Sequence, residues 1–443
     1  MRRRTLLLSA AAAGGALLVG WALLPPRSRL GGRELLKAEA GEVALNGWIK
    51  VAADGGVQLA MPRSEMGQGV HTALAMLAAE ELDIALDRVA LIPAGADAIY
   101  GNVATLVASL PVHPRDRERR PPPAAVEWGE WFVGKVARDL GINVTGGSTS
   151  VADAWQPLRL AAATARAQLV GAASLQWRQP KEELGVRLGR VEHAASGQSA
   201  HFGELAAAAA ATPPGEVRPK AREGWTLIGR SLPRSDVPAK TDGRAVYGLD
   251  VRPPGLLFAA VRMCPMLGGA PRVVHNEAEV LARPGVLRLV RLGPAAGSTA
   301  GVAVVGVTSW HARQAVDALR IDWQPPPAGT VDSAPAEKAL AARAQQALAG
   351  GAGFAFHTRG DALAAEAEAL AAGGTLVEAA YAAPYLAHLA LEPINATAQV
   401  EAGRVTLWVP TQNPTAARAL AARVAGVAED AVTLHVTLLG GGF

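Results

Sequence analysis

The 443-residue chain has one cysteine, Cys264. A single thiol excludes an internal disulfide, a C-x-x-C redox pair, an all-cysteine zinc site and an iron–sulfur cluster held by this chain. Charge is sparse as well: charged residues make up 19%, and a net +4 over this length is too dilute for a nucleic-acid-binding surface, despite a pI near 9.4. No H-E-x-x-H occurs. His388 and Glu392 stand four apart, but Pro384 and Pro393 bracket them, so they read as a structural pair. Aromatics amount to 5%, with ten tryptophans against six phenylalanines, an imbalance to which the sequence assigns no role. The 48 glycines and 30 prolines are scattered, against a collagen-like or long disordered chain. Half of the residues are hydrophobic, enough for true cores in about three domains.

The N-terminus couples Arg2, Arg3 and Arg4 to Leu6–Leu24, a stretch of 19 residues without a charge. As a helix it would rise ~28 Å, about one hydrocarbon thickness. Arg3-Arg4-Thr5-Leu6-Leu7 resembles a twin-arginine export signal, which implies a periplasmic protein. No clear A-x-A cleavage site precedes Pro25, so residues 6–24 are either a cleaved signal or an inner-membrane anchor.

The chain reads as α+β, with a signal or anchor at 1–30, a first region at 42–225, an α+β unit at 237–325 and a further domain at 330–443. Alternating runs around Ala53-Asp54-Gly55-Gly56 predict a hairpin. Leu74, Leu77, Ala78 and Leu82 predict a helix over Thr72–Leu82, with Glu80, Glu81 and Asp83 off its apolar face. A longer helix follows Ser150, striped by Ala154, Trp155, Leu158, Ala162, Ala165 and Leu169 and closing near Gly171. His113–Pro123 reads as a loop. In the 237–325 unit, strands are expected at Ala245–Tyr247, Leu256–Val261, Val286–Val290, Val302–Val307 and Arg320–Trp323, with a helix at Trp310–Leu319. Beyond Pro325-Pro326-Pro327 come a helix at Ala334–Ala349, strands at Thr375–Tyr381, Ala396–Val400, Val405–Val409 and Val432–Leu438, and a helix capped by Asn413.

Three glycine-bearing turns stand out: Gly67-Gln68-Gly69 before the first helix, Gly146-Gly147-Ser148-Thr149-Ser150 before the second, and Gly440-Gly441-Gly442-Phe443. Glycine admits close backbone approach, and amides at a helix start attract anions, so phosphate is the natural guest. Each turn has a bland explanation; Ser150 and Asp153, for instance, have capping-box spacing. Three such turns on separate segments suggest convergence on one large polar anion. Among other side chains, His71 is a candidate ligand neighbour, His435 reads as one face of a strand, Glu65 has no assignable acid–base partner and Cys264 reads as a small buried hydrophobe.

EMGQGVHTALAMLAAEEL, TGGSTSVADAWQPLRLAAATARAQL, VPAKTDGRAVYGLDV, PYLAHLALEPINATAQV and TQNP with the closing GGGF, in this order from about Trp48 to Phe443, resemble the molybdopterin-binding subunit of the xanthine dehydrogenase family, in its isoquinoline 1-oxidoreductase beta branch. The resemblance implies a multidomain molybdenum hydroxylase architecture, with a hammerhead-like domain at 237–325. It further implies oxidation of an aldehyde or N-heteroaromatic small molecule with water as oxygen source. The expected cofactor is molybdopterin in its cytosine dinucleotide form with molybdenum, held by Gly67, Gln68, Gly69, Gly146, Gly147, Ser148, Thr149, Ser150, Gly441, Gly442 and Phe443. Iron–sulfur clusters are expected in a separate [2Fe–2S] partner subunit, and a cytochrome c subunit is a further candidate partner.

Two departures qualify the expectation. Leu386 stands where relatives carry a glutamine two residues before the histidine aligned with His388. The family's general-base glutamate lies well past the GGGF turn, so no catalytic residue is assigned and a separate or missing C-terminal portion is expected. The rivals are a non-catalytic scaffold that binds partner subunits or an export chaperone, and a periplasmic solute-binding module.

Overall fold

The computed structural model describes residues 21, 24–327, 329, 330, 332–350 and 356–442; the Arg2–Arg4 cluster, most of Leu6–Leu24 and Phe443 fall outside the described residues. The chain divides into two compact units, Met1–Val251 with Leu389–Phe443, and Arg252–His388. Helices and strands occur in both, giving the α+β class.

In the first unit, β1 (Glu42–Ala44), β2 (Ile49–Ala52) and β3 (Val57–Met61) form an antiparallel meander, with the expected hairpin turn between β2 and β3. The register Ile49↔Leu59 and Val51↔Val57 pairs four buried apolar side chains. Helix α1 (Val70–Leu82) then crosses over to β4 (Val89–Pro93), which lies parallel to β3 with Val57↔Val89 and Leu59↔Leu91. Parallel pairing requires such a crossover.

Helix α1 is not amphipathic, and Glu80 and Glu81 are buried rather than off the apolar face. Their carboxylates are satisfied by distant chain. Glu80 accepts the amides of Thr226, Leu227 and Ile228 at 2.8, 2.6 and 3.0 Å, and Glu81 accepts Arg159 Nε at 2.8 Å and the Lys220 amide at 2.9 Å. Burial pushes the Glu80 carboxyl up, but those amides and the Lys220 charge bring it below its ordinary value.

Pro114–Glu118 forms a single helical turn inside the expected loop, and α2 (Ala124–Leu140) follows it. Helix α3 (Ser150–Trp177) runs past Gly171 to an αL cap at Arg178. Gly171 is retained for packing, since a Cβ there would come within 2.8 Å of Thr212 Cγ2. Strands β5 (Leu184–Arg187), β6 (Arg190–His193) and β7 (Gln198–His201) and helix α4 (Phe202–Ala210) complete this segment. Trp48, Leu59, Leu74, Leu82, Leu158, Leu169 and Phe202 lie in one core, each large side chain contributing ~1.5–3 kcal/mol by burial.

The second unit contains β8 (Phe258–Met263), β9 (Ala270–Val274), β10 (Val286–Leu292), β11 (Gly301–Gly306), α5 (Ser309–Asp317) and β12 (Ile321–Gln324). Its sheets are ordered β10-β11-β8 and β12-β9 around Val280, Val302, Val304 and Val316. Cys264 is buried, as expected. Helices α6 (Ser333–Gly350) and α7 (Ala362–Ala371) follow. Two expected strands are absent. Thr375–Tyr381 has Val377 and Tyr381 exposed and no strand pairing, and Ala245–Tyr247 makes only an isolated bridge, Tyr247↔Leu438, inside the first unit.

The chain returns to the first unit with β13 (Thr397–Glu401), β14 (Arg404–Val409), α8 (Pro414–Ala425) and β15 (Val432–Val436). Asn413 Oδ1 caps α8 by accepting the Ala416 amide at 3.0 Å. Here β13 and β14 are antiparallel, and β15 returns parallel to β14 with Val405↔Val432 and Leu407↔Leu434. This is the ββαβ topology of β2-β3-α1-β4 in a second copy.

A buried ion cluster ties the start of the described chain to this unit. Asp153 Oδ2 lies 2.6 Å from Arg63 Nη2 and 2.8 Å from Arg29 Nη2, with all three side chains at most 10% exposed. The Ser150–Asp153 capping box therefore does not form: Thr149 occupies the N-cap without a side-chain cap bond, and the Asp153 carboxylate serves two buried guanidiniums instead. Replacing Asp153 with Ala should lower the unfolding free energy by about 3–5 kcal/mol, because two buried cations lose their counter-charge. Urea denaturation compared with the unsubstituted chain measures this.

Candidate cofactor site

In parallel β-α-β units, the turns at the strands' carboxyl ends are the usual ligand-facing edge. Here β3 runs through Pro62–Gly69 into α1, and β14 through Pro410–Asn413 into α8. The turn before α3 joins the two. The Thr145 amide donates to Gln412 O at 2.7 Å and Gln412 Nε2 returns to Thr145 O at 2.9 Å. Ser64 N donates to Thr145 Oγ1 at 2.9 Å, and Ser64 Oγ donates to Thr411 O at 2.7 Å. The third turn is drawn in by the Leu439 amide, which donates to Glu65 O at 3.0 Å, and by Glu392, whose Oε2 accepts the Gly440 amide at 2.8 Å.

These turns enclose a cleft of about 550 Å³, lined by Gln68, Gly69, Gly146, Gly147, Ser148, Ser150 and Gly442 among the residues the sequence singles out. Met66, Val70, Ala73, Thr145, Val151 and Gln412 line it as well. Gly67 is exposed on the same loop but does not line the cleft. Thr149 is buried and turned away, with Oγ1 donating to Gly146 O at 2.8 Å and lying 2.6 Å from Thr105 Oγ1. Gly441 packs against Ala390, and Phe443 is outside the described residues.

The Gly67-Gln68-Gly69 turn does not offer the open amides that its sequence suggests. Buried Glu65 accepts them: Oε1 takes the Gly67 and Gly69 amides, each at 2.9 Å, and Oε2 takes the His71 amide at 3.1 Å. Gln68 is spent on the same turn, accepting the Met66 amide at 2.8 Å and donating to Ser64 O at 2.9 Å. Gly67 at φ 112° and Gly69 at φ 82° give the left-handed backbone that this wrapping requires. The internal carboxylate thus sits where an anion was expected, and the α3 start is left as the anion-facing element, with Ser148, Ser150 and Val151 at the cleft.

Around this turn, Arg234 donates from Nη1 to Gly67 O at 2.6 Å, lies 3.3 Å from Glu65 Oε1 through Nη2, and pairs with Asp236. The Arg234 hydrogen bonds hold the Asp236 carboxyl well below its ordinary 3.8, aided by Lys240 and opposed by burial. His71 Nε2 lies 2.9 Å from Arg63 O, which can only accept, so that nitrogen carries the proton; burial lowers its pKa. His435 stacks on Trp408, with ring centroids 5.5 Å apart.

Glycine also decides the fit of a guest. A Cβ built on Gly146 meets nothing within 4 Å, so a side chain there would project into open space at the cleft. The cleft volume lies within the ~300–1,000 Å³ of ligand pockets. No thiol, histidine or carboxylate lines it. Among the described residues no group of three or more His, Cys, Asp or Glu could hold a metal ion. The lining therefore suits a polar, phosphorylated ligand that brings its own metal ligands.

Replacing Glu65 with Ala should speed hydrogen exchange of the Gly67, Gly69 and His71 amides at least tenfold, with a smaller effect for Glu65→Gln; unchanged exchange would contradict the wrapped turn. Because the folded-state pKa of Asp236 is depressed, its pairing with Arg234 contributes stability that is full above about pH 4 and is lost progressively as pH falls from there through the much lower folded-state pKa. Amide exchange of residues 64–71, followed from about pH 6 down to about pH 2 and corrected for intrinsic rates, should show protection level above about pH 4 and falling below it.

Two family models match the chain, both described as molybdopterin cofactor-binding domains, over residues 9–109 and 349–443. The chain is 32% identical over 439 residues to the beta subunit of isoquinoline 1-oxidoreductase from Brevundimonas diminuta, covering 90% of this chain and 51% of that protein. It is 26% identical to the membrane-bound aldehyde dehydrogenase (pyrroloquinoline-quinone) of Gluconacetobacter polyoxogenes, over 89% of this chain and 46% of that protein. With a nicotinate dehydrogenase subunit from Pseudomonas putida it shares 27% identity, over 91% of this chain and 30% of that protein. The chain thus spans about half the length of the first two relatives and less of the third. Two molybdopterin cofactor-binding domains whose turns meet in one cleft, with 32% identity to an isoquinoline 1-oxidoreductase beta subunit, support a molybdopterin-binding subunit of the xanthine dehydrogenase family.

Proposed function

We propose that this chain is the molybdopterin-binding portion of a periplasmic molybdenum hydroxylase that oxidises an aldehyde or an N-heteroaromatic compound. The observation that carries the reading is the convergence of Gln68, Gly69, Gly146, Gly147, Ser148, Ser150 and Gly442 on one cleft, in a chain that matches two molybdopterin cofactor-binding domains. When bound, the cofactor supplies a molybdenum centre that hydroxylates an activated C–H carbon with oxygen from water and collects two electrons.

The chain's own part is to hold and orient. Ser148, Ser150 and the α3 N-terminus would receive the phosphates of the cofactor, in its cytosine dinucleotide form, since hydroxyls and a positive dipole end suit that charge. Gly146 and Gly442 would allow the backbone within contact distance of the pterin. Glu65 and Arg234 act as positioning residues, because they fix the Gly67-Gln68-Gly69 turn before any ligand arrives. Proton transfer and substrate selection are not assigned to residues of this chain.

The electrons would leave to a [2Fe–2S] partner subunit, and onward to a cytochrome c subunit, since one buried cysteine provides no cluster here. Export through the twin-arginine-like start, with residues 6–24 kept as an inner-membrane anchor, places the enzyme at the periplasmic face. Among the described residues no helix is long and apolar enough to cross a membrane.

Gly146 does not need a left-handed φ and has open space beside its Cα, so Gly146→Leu should fold normally while filling the cleft. In the enzyme purified with its partner subunits, molybdenum by mass spectrometry and pterin by oxidised-pterin fluorescence should both fall at least tenfold, with the melting temperature of the cofactor-free chain unchanged. Wild-type cofactor content in this variant would overturn the assignment of the cleft.

A further inference from the structure

Helix α2 carries an aromatic face that the other described residues leave largely exposed. Trp128, Trp131 and Phe132 are 65%, 41% and 36% exposed, and Lys135 and Asp139 continue the same stripe at helical spacing. Trp128 stacks on Phe132 with centroids 5.6 Å apart and lies 6.4 Å from Trp131. An exposed patch of large aromatics is costly in water unless something apolar meets it.

The end of the apolar N-terminal stretch is fastened to this face. Trp21 packs edge-on against Phe132 at 5.9 Å and donates Nε1 to Asp139 Oδ2 at 2.9 Å. Buried Lys135 donates to the carbonyls of Trp21 and Leu24 and lies over the Trp21 ring at 4.5 Å. A few residues further on, Arg29 is locked into the Asp153 cluster and donates to Ile99 O and Gly101 O at 3.0 and 2.7 Å. Leu24 and Arg29 are five positions apart in the chain, a span of at most about 17 Å. Trp21 and Leu24, at the end of the apolar stretch, are therefore held against α2 with no long tether between them and the folded body.

We infer that the Trp128–Trp131–Phe132 face of α2 seats the protein in the headgroup region of the bilayer that holds residues 6–24. This rests on the reading of residues 6–24 as a retained anchor and adds where the folded body meets the lipid. Tryptophan rings prefer that region because their apolar body and N–H can both be satisfied there. Four arginines, Arg115, Arg117, Arg119 and Arg120, lie in the segment leading into α2, against Asp116 and Glu118, and give that approach a positive balance that suits anionic lipid. The occupant of the patch is thus lipid, rather than a second copy or a partner subunit.

The test uses the full chain with residues 6–24 retained, reconstituted in phosphatidylethanolamine/phosphatidylglycerol vesicles. A Trp128→Cys variant is labelled with the environment-sensitive dye NBD; Cys264 is buried and is left unlabelled. A Leu175→Cys variant, at a position 71% exposed near the end of α3, serves as control. The inference predicts that the chain floats with the vesicles and that the probe at position 128 is quenched by headgroup-proximal brominated lipid at least threefold more than the probe at 175. Iodide should show the reverse order. Flotation with the 128 probe open to iodide would overturn the seat and leave the anchor standing. Flotation with that probe shielded from both quenchers would mean that protein covers the face, and would also overturn it. Failure to float would remove the anchor and the seat together.

Discussion

The cleft depends on hydrogen bonds that its turns cannot make locally. Thr145 and Gln412 lie 267 positions apart, yet the amide of one and the side chain of the other close a reciprocal pair, and Ser64 and Leu439 add the remaining turns. A turn with left-handed glycines is entropically expensive to hold still. Here the cost is offset because each turn satisfies the polar groups of another, so that ordering one orders all. Glu65 joins both levels: its side chain wraps its own turn, and its carbonyl holds the segment before Gly440.

Much of this architecture is legible in the sequence, because it follows from periodicity and punctuation. The β2–β3 hairpin, α1, α3 and the Asn413-capped α8 all announce themselves by alternation, helical spacing or a cap residue. The twofold ββαβ arrangement also has a signal, fainter than these and visible once the strands are paired. Val57-Gln58-Leu59-Ala60-Met61-Pro62 parallels Val405-Thr406-Leu407-Trp408-Val409-Pro410, and Ile84-Ala85-Leu86-Asp87-Arg88-Val89 parallels Val427-Ala428-Glu429-Asp430-Ala431-Val432. The register matches the correspondence, with Val57 pairing Val89 and Val405 pairing Val432. Gln412 lies between the second pair of motifs, and this repeat is the signal that sets it beside the Gly67-Gln68-Gly69 turn.

What the sequence could not show is where charged and hydroxyl side chains find partners far along the chain. Glu80 and Glu81 look like a solvated helix face because their amide and guanidinium partners lie about 140 and 80 positions away. Ser150 and Asp153 have the spacing of a local cap, but burial next to Arg29 and Arg63 gives Asp153 a stronger claim. Thr149 looks like Ser148 in sequence, yet its methyl-bearing side chain is the one turned inward to Thr105 and Asn102. Helix α2 has Pro123 at its N-cap and Gly141 at its C-cap, but its exposed aromatics obscure the apolar stripe that would have announced it.

The central claim is that one ligand is gripped by several turns at once. Hydrogen-exchange mass spectrometry on the enzyme isolated with its partner subunits, compared before and after removal of the molybdopterin, tests it directly. The account predicts that loading protects residues 145–151, 410–413 and 438–442 together, with little change at 67–71, where Glu65 already holds the amides. Protection confined to one of these segments, or none in any of them, would contradict a shared cleft.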